Sequence, residues 1–139
     1  VFWLNKIINL PNADLREDIH CFSRILNLIS HYELGNMDVI EYYLRSTYRF
    51  LLKKDDLHLY QQYILDFMKK LTKNITEEEL VNRFEALRLK LLPLQNSRFE
   101  KRAFLYFDII SWLECKIEKL PVQQVVQRKA AEIIGEEYA

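Results

Sequence analysis

The sequence predicts an all-α fold of about seven helices, packed as antiparallel hairpins stacked into an α-solenoid, and three observations predict it. The first is a 42-residue internal period. Cut at Asp14, Asp56 and Arg98, the chain falls into blocks whose opening halves align: Leu15, Leu57 and Phe99 share a column, as do Phe22, Ile64 and Tyr106. Ile25, Phe67 and Ile109 follow, then Leu26, Met68 and Ile110, then Ile29, Leu71 and Leu113. Within each block the last four columns stand at i, i+3, i+4 and i+7, which is one face of an α-helix. The second observation is that chain breakers are scarce, with 2 Gly and 3 Pro in 139 residues, too few for the turns of a sandwich or barrel. The third is that the helical patterns are separated by only a few residues, so consecutive helices must lie antiparallel.

The first helix is expected at about 2–10, carrying Phe2, Trp3, Leu4, Ile7 and Ile8, and it stops at Pro11. The second starts near Asp14, where Asp14 and Glu17 resemble a capping pair, and ends at Gly35-Asn36. The third, about 37–54, turns Ile40, Tyr43, Leu44, Thr47 and Leu51 inward. Asp55-Asp56 opens the fourth, with Tyr60, Tyr63, Ile64, Phe67, Met68 and Leu71 inward. Thr76 and Glu79 form a capping box for the fifth, whose Leu80, Phe84, Leu87 and Leu91 face the core until Pro93 ends it. Ser97 and Glu100 are the expected cap of a continuous sixth helix, and Pro121 falls at the first position of a seventh. The sixth is apolar around most of its circumference from 103 to 117, with a polar or small strip of Asp108, Ser111, Cys115 and Glu118. Such a helix must be covered on two sides, so it belongs in the middle of the stack.

These elements divide residues 1–139 into a leftover helix at 1–13 and hairpin units at 14–55, 56–97 and 98–139. The apolar first helix stands where the second helix of a preceding repeat would, so the stretch is expected to be the C-terminal end of a longer array. The charges cancel, 20 basic against 20 acidic, which argues against a purely electrostatic grip on nucleic acid. No run approaches a membrane span, and the start lacks the basic region of a signal peptide. Cys21 and Cys115 are far apart and are read as small core hydrophobes. A sequon at Asn74-Ile-Thr76 matters only on secretion, and a cytoplasmic location is expected.

At residues 31–43 the chain resembles a tetratricopeptide-type hairpin junction, with Tyr32 ending one helix, Gly35-Asn36 making the turn, and Ile40, Tyr42 and Tyr43 opening the next. The repeat is longer than that family's 34 residues. With Arg49-Phe50 and 107–113, the stretch also resembles the C-terminal part of uncharacterised helical-repeat proteins of Bacteroidetes bacteria, which implies a bacterial source but no known activity. The tetratricopeptide likeness implies a scaffold for protein–protein contacts, the hairpins forming a right-handed arc whose concave face, made by the first helices, receives the partner.

No motif of catalysis or phosphate binding is present, and neither enzyme activity nor a cofactor is expected. His20 and His31 are eleven residues apart, about 16 Å along a helix, too far to share a metal. They and His58 are read as ordinary surface or hydrogen-bonded histidines. The run 77–79 of glutamates suits a helix N-terminus. Asp108 is expected to be a buried or interfacial carboxylate tied to an Arg, Tyr or Trp.

Charge is unevenly spread: residues 45–102 hold 13 basic and 8 acidic side chains, so they carry +5 and the rest −5. Arg45, Arg49 and Lys53 stand at i, i+4 and i+8 with Tyr42 and Tyr48 alongside, and Lys69, Lys70 and Lys73 form a second cluster. Either is explained by a solvated face or by helix C-termini. As a site, Tyr42, Arg45, Arg49 and Lys53 would bind a partner, an acidic protein segment before RNA or DNA. The expected function is therefore a non-enzymatic interaction scaffold. The alternatives are a nucleic-acid-associated or transcription-regulatory domain using the same stripe, or an oligomerisation segment that dimerises through the N-terminal helix.

Overall fold

A computed structural model describes residues 1–9, 17–53, 58–71 and 75–138, which are all-helical with no strand among them. The expectations placed on Pro11, Asp14, Leu15, Lys54, Asp55, Asp56, Leu57, Lys73 and Asn74 lie outside the described residues. The chain forms two compact units, Val1–Leu71 and Thr72–Ala139.

The first unit holds α1 (Phe2–Ile8), α2 (Glu17–Glu33), α3 (Met37–Leu52) and α4 (Leu59–Lys69). α2 packs on α1 and α3, and α3 packs on α4. The predicted inward face of α3 is observed: Ile40, Thr47 and Leu51 are buried, with Tyr43 and Leu44 half-buried. α4 buries Tyr60, Ile64, Phe67 and Met68 as expected, and Gln61 and Leu65 in addition. Ile25, Leu28 and Ile29 supply the apolar stripe of α2. Each such aliphatic side chain contributes about 1.5–3 kcal/mol by leaving water.

The α2–α3 turn follows from Gly35, whose φ of +74° only glycine adopts without strain. The Asn36 N–H donates to the His31 carbonyl at 2.9 Å and the Gly35 N–H to that of Tyr32 at 3.1 Å. This is the Schellman pattern, which satisfies two carbonyls that a helix end would otherwise leave open.

The second unit holds α5 (Glu77–Leu91), a 3₁₀ helix (Leu92–Asn96), α6 (Lys101–Tyr106), α7 (Ile109–Glu118) and α8 (Val122–Tyr138). The capping box opens α5 as predicted: Thr76 Oγ1 accepts from the Glu79 N–H at 3.2 Å, and the Thr76 N–H donates to the Glu79 carboxylate at 3.4 Å. Pro93 ends α5 by turning the chain into the 3₁₀ helix, and Pro121 immediately precedes α8. α7 lies against both α5 and α8. Phe84 of α5 meets Trp112 of α7 edge-on, with ring centroids 5.8 Å apart.

The sixth helix of the sequence reading is not continuous. It is two helices, α6 and α7, separated by Phe107 in extended conformation (φ −154°, ψ 128°) and by Asp108. That makes eight α-helices among the described residues where about seven were expected. Asp108 causes the break. Its Oδ1 accepts from the Ser111 N–H at 3.1 Å and its Oδ2 from the Ser111 hydroxyl at 2.6 Å, so it caps a new helix. The carboxylate is exposed and bound to serine, not buried against Arg, Tyr or Trp. The break also strands α6: Phe99 is 80% exposed, Leu105 83% and Tyr106 39%, so the columns that placed Phe99 and Tyr106 in the core fail here. Nor does Ser97 cap the helix, because α6 starts after Glu100 with no side-chain cap bond.

Candidate functional site

The basic face is built on α3. Tyr42, Arg45, Arg49 and Lys53 are all exposed, and Tyr42 is 69% exposed. A rotation of about 100° per residue puts these four on one side of the helix, away from Ile40, Thr47 and Leu51. Arg45 pairs with Glu41 one turn earlier, both ends solvated, which leaves the guanidinium available to exchange partners. Arg49 and Lys53 form no ion pair with a described residue.

Fixed rings lie beneath this face. Tyr42 rests edge-on against Tyr43, with centroids 5.3 Å apart. Tyr43 stacks nearly parallel on His31 of α2, at 4.7 Å and 14°. Lys69 of α4 reaches over the Tyr48 ring at 5.3 Å, so one lysine of the second basic cluster joins this region.

Between α2 and α3 runs a polar seam the sequence reading missed. His20 is 2% exposed and stacks on Phe50 at 4.7 Å. The Arg24 guanidinium lies 4.1 Å from the centroid of that ring and donates to the Ser46 hydroxyl at 3.3 Å. Burial holds the Arg24 guanidinium below its ordinary pKa, with a smaller opposing effect from Cys21. His31 is 6% exposed, and its Nδ1 lies 3.2 Å from the Asn36 side-chain amide. Neither buried histidine is a surface residue. The signal was present: positions 20, 24, 27 and 31 share one face of a helix whose other face is Cys21, Ile25, Leu28 and Ile29. Both Cys21 and Cys115 are buried free thiols.

The second unit has a different polar cluster, a groove of about 480 Å³ bordered by α5, α7 and α8. Glu114, 14% exposed, is its centre, 3.0 Å from Lys129, 3.4 Å from Arg88 and 3.9 Å from Arg128. Lys129 also donates to the Ser111 hydroxyl at 3.0 Å, and Arg128 pairs with Glu118 at 3.0 Å. The hydrogen bond and charge of Glu118 raise the Arg128 pKa. With Glu114 and its three cations paired among themselves and with Glu85 and Glu118, the groove is an internal network more than an open receptor. Among the described residues no group of three or more His, Cys, Asp or Glu side chains is placed to hold a metal, and no helix is long and apolar enough to cross a membrane.

Comparison with protein-family models, with curated proteins and with solved structures gives no match for this chain.

Proposed function

We propose that this chain is a non-enzymatic interaction module of tetratricopeptide-like helical hairpins, acting in the bacterial cytoplasm, that binds an acidic protein segment on the exposed face of α3. The observation that carries the reading is Tyr42, a large aromatic ring 69% exposed and supported from below by Tyr43, on the same face as Arg45, Arg49 and Lys53. A rigid aromatic beside exchangeable arginines is the composition of a binding hot spot. Arg49 and Lys53 supply charge, and Tyr42 supplies contact area at little entropic cost.

The test is affinity capture from the native lysate with the wild-type chain and a Tyr42→Ala, Arg49→Glu variant, each with and without nuclease. A protein held by the wild type after nuclease and lost by the variant supports the scaffold. Nucleic acid in the wild-type eluate, with binding that falls steeply as salt rises, transfers the face to the nucleic-acid reading. A second reading, self-association through α1, is favoured by Phe2 at 64% and Trp3 at 71% exposure on a helix that buries none of its residues. Removal of residues 1–9 abolishes a dimer under that reading, as measured by sedimentation; a dimer that survives rules it out.

A further inference from the structure

Asn36 grips His31 twice. Its backbone N–H donates to the His31 carbonyl at 2.9 Å, and its side-chain amide lies 3.2 Å from His31 Nδ1. With its NH₂ turned to the ring the amide donates, which makes Nδ1 the acceptor and puts the proton of the neutral imidazole on Nε2; turned over, its oxygen would accept from an Nδ1–H instead. Nε2 is buried, with no hydrogen-bond partner among the described residues. Tyr43 covers one ring face, and His31 is itself the residue whose carbonyl closes the Gly35 turn. The imidazole therefore joins three things: the end of α2, the turn, and the start of α3.

We propose that His31 is an acid-sensitive latch on the α2–α3 hairpin, in which protonation of Nδ1 breaks the side-chain hold of Asn36 and loosens the seat of Tyr43 and Tyr42. A protonated Nδ1 would point an N–H at the N–H groups of the amide, donor against donor, so the amide must let go of the ring before it can turn its oxygen there. It would also place a cation in a site only 6% exposed.

Among the described residues no carboxylate answers that cation, and the Tyr43 ring face is the group that attracts it. On α1, Lys6 is engaged over the Phe2 and Trp3 rings. α3 presents the Tyr43 ring, while its exposed Glu41 is paired with Arg45 and its Asp38 is exposed. On α2, Glu33 is exposed, and no described carboxylate lies within ion-pair distance of the ring. Burial accordingly lowers the His31 pKa below its ordinary 6.5. The sign is then fixed. Because the folded chain takes the proton later than the unfolded chain, the contribution of His31 is complete above pH 6.5 and is lost as pH falls from there through the folded value. Each unit of depression corresponds to about a tenfold fall in the folding constant.

The latch stands whether or not Tyr42 binds a partner. It is tested on the full chain by two-bond ¹H–¹⁵N spectra of the histidines and by urea unfolding between pH 8 and pH 5. Expected are an unprotonated Nδ1 at pH 8, a His31 midpoint below 6.5, and acid destabilisation that shrinks in His31→Phe, which keeps an aromatic ring against Tyr43. Asn36→Asp supplies an acceptor for the Nδ1 proton, so it should raise the midpoint and move the resting proton to Nδ1. This variant tests the latch even if His31→Phe does not fold. A His31 midpoint at or above 6.5, or a midpoint and tautomer unmoved by Asn36→Asp, overturns the proposal.

Discussion

The α2–α3 seam and the α7–α8 seam both carry polar groups into a helix interface, but they neutralise them differently. In the first unit the groups lie on aromatic faces: His20 on Phe50, Arg24 on Phe50, His31 on Tyr43. In the second, Glu114 gathers Arg88, Lys129 and Arg128 about one carboxylate, and the network stays in touch with water. The difference teaches which conditions each seam feels. Ring stacking is insensitive to salt, and the added charge of a protonated imidazole is resisted there by burial, whereas a partly solvated ion cluster is weakened by salt.

The largest effects should fall equally on both units and so serve as the control. Ile25 and Leu113 are each fully buried, and Ile25→Ala and Leu113→Ala should each cost about 3 kcal/mol in urea unfolding, whatever the salt. A marked inequality would mean that one unit rests on its polar seam instead of its core. Glu114→Ala comes next. It takes the shared carboxylate from three partly solvated cations, of which Arg88 keeps Glu85 and Arg128 keeps Glu118, and should cost about 2 kcal/mol. At 1 M salt that cost should shrink, since charge repulsion is screened over about 3 Å. If salt leaves the variant and the wild type equally far apart, the cluster acts by packing and the contrast between the seams dissolves.

Thr76→Ala removes the hydroxyl that accepts from the Glu79 N–H, while the backbone N–H bond to the Glu79 carboxylate remains possible, and should cost about 1 kcal/mol, with amide exchange accelerated first at Glu79. Lys119 ends α7 in the left-handed region at φ 56°, where a side chain is strained. Lys119→Gly should therefore stabilise by up to about 1 kcal/mol despite losing the solvated pair with Glu77. The smallest effect is at the candidate site. Arg45→Ala should change stability by less than about 0.5 kcal/mol, because its pair with Glu41 is exposed at both ends. Loss of partner binding without loss of stability would separate contact from scaffold.

Part of this was legible along the chain. Helical periodicity placed the inward faces of α3, α4 and α5, and the Thr76 box and the Gly35 turn stand where local chemistry put them. Local signals succeed when a few neighbouring residues settle the outcome, as a hydroxyl meeting an amide three residues on does. The break at Asp108 was equally local, an acceptor three residues before Ser111, but the apolar run through it pointed to a continuous helix. Capping chemistry overrode the period, and the columns of Phe99 and Tyr106 went with it.

What the sequence by itself determined is an all-α chain, its helix faces and most of its ends, because period and capping are short-range properties. Only the tertiary structure decided that His20 and His31 are buried, that Tyr43, which supports Tyr42, itself stacks on an imidazole, and that Glu114 draws cations from α5 and α8. Those contacts join residues on different helices, at separations set by how two faces meet. A helical pattern states which residues share a side; what that side rests against is chosen only when the packed partners exclude water together.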